Sequence, residues 1–294
     1  GLTVGGAAPS ITVGNPYLSP FRSTNLDLSF EYYWGTNGFV GLALFQKDIS
    51  SFPQQVAGEF PLQAIYPQEI IAQIIPNITS ATLAQYIQDG GVFAVRQFDD
   101  APGGKIQGVE LNVQTNFFFL PGFLQRFGVT ANYTYISSEL NYLTGTALST
   151  VQGQTGSTAV NQFATAPFLN TSPHSFNATL YYEDGPLKAR VSGAYRKKYV
   201  NRFPLSSGTC SVGTTTNAGG PCNSPVVADF GYNEDTFNLD FSMSYALTKE
   251  IRLSLEGRNL TNATQYRTMY QANPVSSSYA STGRILTLGV RATF

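Results

Sequence analysis

The 294-residue sequence has little charge, almost no histidine or cysteine, and no long apolar run. Charged residues make up 12% of the chain, against about 25% in typical soluble proteins. The formal net charge is -1, so no excess of positive charge favours binding to nucleic acid. No apolar stretch reaches the roughly 18 residues of a transmembrane helix, and the N-terminus does not resemble a signal peptide. Two classes remain, a secreted soluble β-protein and a membrane protein that crosses the bilayer with strands.

Aromatic residues are abundant by contrast, and apolar residues alternate with polar ones. The chain has 21 Phe and 17 Tyr beside one Trp. In the first alternating segment, Leu26, Leu28 and Phe30 lie opposite Asp27 and Ser29. A period of two residues predicts a strand with one apolar and one polar face. Nine such strands are predicted: 23–34, 38–49, 105–119, 127–135, 174–183, 187–199, 237–247, 251–260 and 284–294. Segment 38–49 is the least clear, because both of its faces are fairly apolar.

The predicted connections alternate between short turns and long loops. The short ones carry the Gly, Asn, Asp and Pro of tight turns, and they are 35–38, 120–126, 183–186 and 248–250. The long loops are roughly 50–104, 140–173, 200–234 and 261–283. If the last strand ends in the periplasm, all four short turns fall on the periplasmic side, as in outer-membrane barrels. The fold class predicted is therefore all-β, an antiparallel transmembrane β-barrel portion of about nine to ten strands.

Nine strands are an odd number, and bacterial single-chain barrels close with even numbers. An open sheet would also leave unpaired backbone groups in lipid, where they are energetically costly. We therefore expect further strands to precede Gly1 in the full protein.

Several motifs occur in series along the chain, and together they indicate a family. They are Gly14-Asn15-Pro16-Tyr17-Leu18-Ser19-Pro20, Ser23-Thr24-Asn25-Leu26-Asp27-Leu28, Phe45-Gln46-Lys47-Asp48-Ile49, Gly104-Lys105-Ile106-Gln107-Gly108-Val109-Glu110, Asn259-Leu260-Thr261-Asn262 and Thr282-Gly283-Arg284 with Phe294. In this order they resemble the C-terminal half of a TonB-dependent outer-membrane receptor. The finer resemblance is to a subgroup of Caulobacter- and Xanthomonas-like bacteria that is often linked to oligosaccharide uptake.

The resemblance implies a location, a function and partners. Residues 1–294 would be the C-terminal part of a 22-stranded barrel in the outer membrane of a Gram-negative bacterium, without the N-terminal strands and plug domain. The whole protein would actively import a scarce small molecule or oligosaccharide. Its partners would be outer-membrane lipid and, through the absent plug, the TonB–ExbB–ExbD complex. A siderophore, iron-complex or cobalamin receptor and a passive porin-like barrel are the alternatives.

The last predicted strand ends in an alternation that we interpret as the signal recognised by the barrel-assembly machinery. Its residues are Leu288, Val290, Ala292 and the terminal Phe294. An aromatic girdle residue is the simpler interpretation of Phe294, and both interpretations are compatible.

The two cysteines, Cys210 and Cys222, lie in one predicted extracellular loop. Thiols outside the cytoplasm oxidise, so a disulfide is predicted. A metal pair is the alternative, but no histidine or third cysteine is near in sequence. A catalytic role for the single histidine, His174, would need a nucleophile or a second base held beside it. Its position after Pro173, at the start of a predicted strand, predicts a surface residue instead. We predict no enzyme activity, no cofactor and no metal.

Three further groups bear on the interior and the loops. Charges of both signs are predicted to face the lumen and contact the plug more often than a ligand: Glu110, Lys188, Arg190, Arg196, Asp240, Arg252, Glu256 and Arg258. Four aromatic residues of the outer loops either stack on sugar rings, belong to an aromatic girdle or pack within loops: Phe203, Tyr232, Tyr266 and Tyr270. Residues 79–89 predict a short amphipathic helix with a Thr or Ser cap, which is either a lid element or a packed loop helix.

Overall fold

The structure is a computed structural model, and it describes residues 2–3, 10–145, 162–207, 226–227 and 229–293. Most of the described residues lie in strands. The nine wall strands are β1 Arg22–Trp34, β2 Gly38–Pro61, β3 Gly103–Asn116, β4 Phe127–Gly145, β5 His174–Asp184, β6 Leu187–Arg196, β7 Thr236–Ala246, β8 Ile251–Arg258 and β9 Ile285–Ala292. Each pairs antiparallel with the next along the chain. Each of the nine segments predicted to be strands contains a strand, and together they form a partial barrel.

The short connections all lie at one end of this sheet. β1 turns into β2 at Gly35, and β5 turns into β6 at Gly185, two glycines with φ of 56° and 50°. These positive φ values favour glycine because a side chain is strained there. A 3₁₀ helix, Gly122–Arg126, connects β3 to β4. The predicted alternation of short turns and long connections is therefore confirmed.

Some predicted strand ends are wrong, mainly at the end with the long connections. β2 continues to Pro61 and β4 continues to Gly145, well beyond their predicted ends at Ile49 and Tyr135. The second half of β2 pairs with a further strand, Val92–Ala101, which the sequence analysis placed inside a loop. The strands β2 and β4 are therefore longer than the alternating segments from which they were predicted.

Helices occupy the connection between β2 and Val92–Ala101. The 3₁₀ helices are Leu62–Ala64 and Ile75–Asn77, and the α-helices are α1 Gln68–Ile74 and α2 Ala81–Gln88. The Ser80 hydroxyl accepts a hydrogen bond from the Leu83 amide at 3.3 Å, which confirms the predicted cap of α2. Within the described parts of the chain, no helix has the length and apolar character to cross a lipid bilayer.

The remaining strands also belong to the end with the long connections. Four of them form a separate sheet in the order Tyr199–Arg202, Gly231–Asn233, Thr264–Met269 and Val275–Ser281. The others are Leu2–Thr3, Ser10–Thr12, Gln162–Ala166, Ser206–Ser207 and Val226–Val227. Ser10–Thr12 runs parallel to Val92–Ala101, and Gln162–Ala166 pairs with the end of β4.

The buried apolar residues that the structure describes fall largely into two clusters at this same end. We call the first the mouth cluster: Ile49, Phe52, Val56, Ala101, Ile106, Leu140, Tyr142, Leu143, Ala166, Val200 and Phe230. The second, the helix cluster, contains Ile11, Leu62, Ile65, Ile71, Leu83, Ile87, Phe93 and Val95. Leu83 and Ile87 of α2 are among them, so α2 is a packed loop helix.

Candidate functional site

One face of the wall is apolar and exposed. Directly paired residues share a face in an antiparallel sheet. One row crosses seven strands in register: Phe30, Leu42, Leu111, Tyr133, Phe176, Tyr195 and Phe237. In this row Phe30 is 62% exposed and Leu42 is 39% exposed. A continuous apolar face of this kind would be costly in water and is stable against lipid. We call it the outer face.

Aromatic side chains border the outer face at both ends. The belt beside the short connections contains Tyr32, Trp34, Phe117, Phe119, Phe123, Phe127 and Tyr182. Tyr133, Tyr135, His174, Phe176, Tyr195 and Phe237 form the belt at the other end. Phe127 and Tyr135 are eight residues apart on β4, which corresponds to about 27 Å along a strand. Outer-membrane barrels carry an apolar band about 25 Å tall between two aromatic girdles.

His174 belongs to the second belt. Its Nδ1 is 2.8 Å from the Tyr133 hydroxyl, and its ring centroid is 5.0 Å from that of Tyr135. His174 therefore lies on the outer face at the edge of the apolar band, a surface position in agreement with the sequence analysis.

The opposite face of the wall is polar, and we call it the inner face. The row beside the aromatic one reads Ser29, Ala43, Glu110, Thr134, Ser175, Arg196 and Thr236. A cavity of about 740 Å³ is lined by inner-face side chains from β3 through β8, among them Lys188, Arg190, Arg252 and Glu256. A single cavity lined by six adjacent strands requires this face to be concave. The structure thus brings four of the eight predicted lumen charges together.

The other four predicted lumen charges lie outside this cavity. Glu110 and Arg196 belong to the polar row, and Asp240 pairs with Ser192 across the same face. Arg258 is mostly exposed beside Glu256, with 3.6 Å between the charged groups. An exposed pair of this kind contributes little to stability, so the charged groups of Arg258 and Glu256 remain accessible to another molecule.

Uncharged amides form a further inner-face row, which we call the amide row. Asn112, Asn132 and Asn177 are directly paired on β3, β4 and β5, and Asn238 follows on β7 beyond Ala194. The side-chain NH₂ group of Asn177 donates to Oδ1 of Asn132 at 3.0 Å. All four asparagine residues are exposed, so most of their hydrogen-bonding groups face the open lumen.

Asn259, the first residue of the motif Asn259-Leu260-Thr261-Asn262, has a structural role. Its φ of 52° turns the chain at the end of β8. Its side-chain oxygen Oδ1 accepts from the Ala263 backbone amide at 2.6 Å, and its side-chain NH₂ group donates to the Gly283 backbone carbonyl at 3.0 Å. The asparagine therefore closes the base of the last long connection.

The mouth of the lumen is filled by apolar side chains. By strand register, Ile49, Ile106 and Leu140 lie on the inner face, above the polar rows. Val200 of the four-stranded sheet and Phe230, which immediately precedes the strand Gly231–Asn233, belong to the same cluster, and each is 1% exposed. Side chains from separate long connections thus close over the inner face at this end.

Tyr142 ties this cluster to the neighbouring connection. Its hydroxyl donates to the Pro167 carbonyl at 3.0 Å and accepts from the Leu169 amide at 3.1 Å. This part of β4 lies beyond the apolar band. Burial raises the pKa of Tyr142 to about 12, while the hydrogen bond from Leu169 lowers it by less. Tyr142 therefore stays protonated and keeps both hydrogen bonds.

Two of the four aromatic residues predicted in the outer loops are packed, and the other two are partly exposed. Phe203 stacks on Phe230 with 4.5 Å between ring centroids, and Tyr232 packs against the mouth cluster. These two are packing residues. Tyr266 and Tyr270 are 39% and 37% exposed, so they remain accessible from solvent.

Other predicted site residues lie partly outside the described chain. Cys210, Cys222 and Phe294 are outside it, so their roles stay predictions. Leu288 and Val290 are described on β9 and are 79% and 70% exposed on the outer face, and Ala292 ends that strand. The alternation of the assembly signal is therefore present, while its recognition stays a prediction.

Comparison with known families agrees with this geometry. The family model described as "TonB dependent receptor-like, beta-barrel" matches residues 2–260. The chain belongs to the TonB-dependent receptor β-barrel family. This is a family of transporters and receptors rather than of enzymes. No curated protein matches the chain.

Three solved structures illustrate the similarity of fold. The siderophore receptor PirA of Acinetobacter baumannii is 16% identical, with a TM-score of 0.50, and the match covers 98% of this chain and 35% of PirA. A ferric enterobactin receptor mutant (PfeA) of Pseudomonas aeruginosa is 13% identical, with a TM-score of 0.49 over 96% of this chain and 33% of that one. The FrpB iron transporter of Neisseria meningitidis is 14% identical, with a TM-score of 0.46 over 97% of this chain and 33% of that one. The chain spans about a third of their length, and the likeness is one of fold.

Proposed function

We propose that residues 1–294 are the C-terminal part of the barrel of an outer-membrane transporter that imports a scarce nutrient by TonB-dependent uptake. The observation that carries this proposal is the opposite character of the two faces of the wall. The outer face is apolar between two aromatic belts, and the concave inner face is polar and charged. A soluble β-sandwich has the reverse arrangement, with apolar side chains inside.

The inner-face charges support a plugged rather than an empty barrel. Lys188, Arg190, Arg252 and Glu256 face one cavity with both signs of charge. Such a surface suits a folded polar domain, which in this family is the plug. The TonB–ExbB–ExbD complex would act on that plug from the inner membrane, and the barrel-assembly machinery would insert the barrel into outer-membrane lipid.

For the cargo we propose an oligosaccharide, as in the Caulobacter- and Xanthomonas-like subgroup. The exposed amide row supports this, because neutral amides exchange hydrogen bonds with sugar hydroxyls without demanding a charged ligand. A ferric siderophore is the second candidate, since the solved structures of similar fold are named as siderophore, ferric enterobactin and iron receptors or transporters. At such low sequence identity, these structures show a similar fold but do not identify the ligand of this chain.

The test is growth of a strain that lacks the full-length gene and carries it on a plasmid. An oligosaccharide as sole carbon source and a ferric siderophore as sole iron source form the two arms. We expect growth in one arm to require both the gene and an intact tonB. Gene-dependent growth that persists without tonB would reject active uptake.

Conductance of the full-length protein in a planar bilayer separates the passive alternative. A plugged receptor should show little current before the plug is removed by denaturant. A large open current from the untreated protein would instead identify a porin-like barrel.

A further inference from the structure

A second cavity lies in the four-stranded sheet, outside the inner-face cavity. It encloses about 640 Å³, and its lining includes Tyr199, Asn201, Arg202, Asn233, Arg267 and Ser278. Direct pairing of Tyr199 with Asn233, and of Asn233 with Arg267, places these three side chains on one face of the sheet. We call this cavity the arginine pocket.

The opposite face of the same sheet is occupied. Val200 pairs with Tyr232 on that face. Val200 is 1% exposed and belongs to the mouth cluster, and Tyr232 packs against the same cluster. One face of the sheet therefore packs on the mouth cluster, while the other carries the arginine pocket.

Positive charge exceeds negative charge in the four-stranded sheet and the segments next to it, 196–202 and 229–235. The described part of this region contains five cations, Arg196, Lys197, Lys198, Arg202 and Arg267, and three carboxylates, Asp229, Glu234 and Asp235. Glu234 pairs with Lys198 at 2.7 Å, and Asp235 pairs with Lys197 at 2.9 Å. The guanidinium groups of Arg202 and Arg267 have no ion-pair partner among the described residues. No acidic side chain lines the arginine pocket there.

The other lining groups are uncharged and suited to hydroxyl groups. The side-chain NH₂ group of Asn201 donates to Oδ1 of Asn233 at 2.6 Å, and the side-chain NH₂ group of Asn233 donates to the Tyr199 hydroxyl. This chain of bonds leaves the Tyr199 proton as a donor. The Arg196 guanidinium carbon lies 3.7 Å from the centroid of the Tyr199 ring, which adds positive charge beside the pocket.

We propose that the arginine pocket binds an acidic saccharide, with Arg202 and Arg267 holding its carboxylate or phosphate oxygens. Arginine pairs with both groups through two parallel N–H donors. The asparagine, tyrosine and serine groups then accept and donate to the sugar hydroxyls. This inference deepens the proposed function and rests on it, because it specifies the charge of the cargo.

The same chemistry has a second source, the phosphorylated glycolipid of the outer leaflet. The test therefore uses the purified full-length receptor in glycolipid-free detergent and measures binding by calorimetry. The probes are trigalacturonate, its methyl ester with masked carboxylates, and deep-rough lipopolysaccharide as a competitor. The variants are Arg202→Gln and Arg267→Gln, with Arg291→Gln as the control at the far end of the wall.

We expect trigalacturonate to bind at least 10-fold more tightly than its methyl ester. Each pocket variant should weaken binding by about 10-fold, or about 1.4 kcal/mol, and the control should not change it. Equal binding of acid and ester overturns the proposal without any variant. Unchanged binding in both pocket variants, after heat-modifiable migration confirms folding, overturns the pocket assignment.

The lipopolysaccharide arm decides the source of the anion. If the receptor binds lipopolysaccharide through the two arginines but does not bind trigalacturonate, the ligand is the glycolipid and the cargo proposal is wrong. These binding experiments test the arginine pocket, whereas the growth experiment tests tonB-dependent uptake. Failure of this inference can therefore be distinguished from failure of the proposed function.

Discussion

The lower and upper parts of the wall strands carry their apolar side chains on opposite faces. In the lower part of β2, Leu42 and Leu44 point outward and are 39% and 42% exposed. In the upper part of β2, Ile49 and Phe52 point inward and are 6% and 8% exposed. The apolar side of one strand thus changes from the outer to the inner face. The difference teaches that apolar residues follow the low-dielectric side, which is lipid in the wall and a packed cluster at the mouth.

Polar residues show the same contrast between wall and mouth. Asn132 and Asn177 on the inner wall bond each other and remain exposed. At the mouth, Gln54 is 7% exposed, and both of its amide groups are used. It donates to the Leu143 carbonyl at 2.8 Å and accepts from the Leu143 amide at 2.9 Å. A buried amide requires such partners, because an unsatisfied one would cost about 1–3 kcal/mol.

The largest expected effect concerns the mouth. Phe230→Ala removes a buried ring that contacts Tyr142 and Phe203, and such truncations cost about 3–5 kcal/mol. We expect faster hydrogen exchange in Tyr199–Arg202 and in the upper half of β4, with the wall unchanged. The control is Tyr266→Ala, at an exposed aromatic position. Equal exchange in the two variants would mean that the mouth has no packed core.

The next effect concerns the wall. Leu180 on β5 points outward, and Arg at a lipid-facing midwall position costs about 2–4 kcal/mol. Leu180→Arg should therefore lower the urea midpoint of the full-length barrel in lipid vesicles. Ser192→Arg on the inner face is the control and should be tolerated better. Equal costs of the two arginines would contradict the assignment of an outer and an inner face, and a cost for Ser192→Arg alone would show that the faces are inverted.

The smallest expected effect concerns the ion pair between Asp235 and Lys197, which lies outside the wall strands, between the wall and the mouth. Burial raises the pKa of Asp235, but hydrogen bonds from Lys197, the Lys198 amide and Tyr195 outweigh it and leave that pKa lowered. The bond to Asp235 raises the pKa of Lys197. A lowered carboxyl pKa stabilises the fold above the ordinary Asp pKa of about 4, and this stability is lost as pH falls through the lowered value.

Hydrogen exchange of Tyr199–Arg202, corrected for intrinsic rates, should therefore accelerate in acid in the native protein. Asp235→Asn should exchange faster at neutral pH and lose this acid dependence. Glu256→Gln, which removes a carboxylate from the inner wall, is the control. An acid response that survives in Asp235→Asn would place its origin elsewhere.

Much of the wall was predictable, because each strand carries its own alternation and each short turn its own Gly, Asn, Asp or Pro. The nine strands, the sidedness of the connections and the cap of α2 follow from residues close in sequence. The unclear pattern of residues 38–49 has a physical reason in the structure. Phe45 and Ile49 belong to the mouth, whereas Leu42 and Leu44 belong to the outer face.

Only the tertiary structure decided how the long connections pack and which of their side chains are available to a ligand. Gln54 meets Leu143 across 89 residues, and no local pattern encodes that meeting. Phe203 is packed while Tyr266 is exposed, although both are aromatic residues in predicted loops. Arg202 and Arg267 come together only because their two strands join the same sheet. Alternation is a property of a few neighbouring residues, whereas a pocket depends on which distant segments the chain brings side by side.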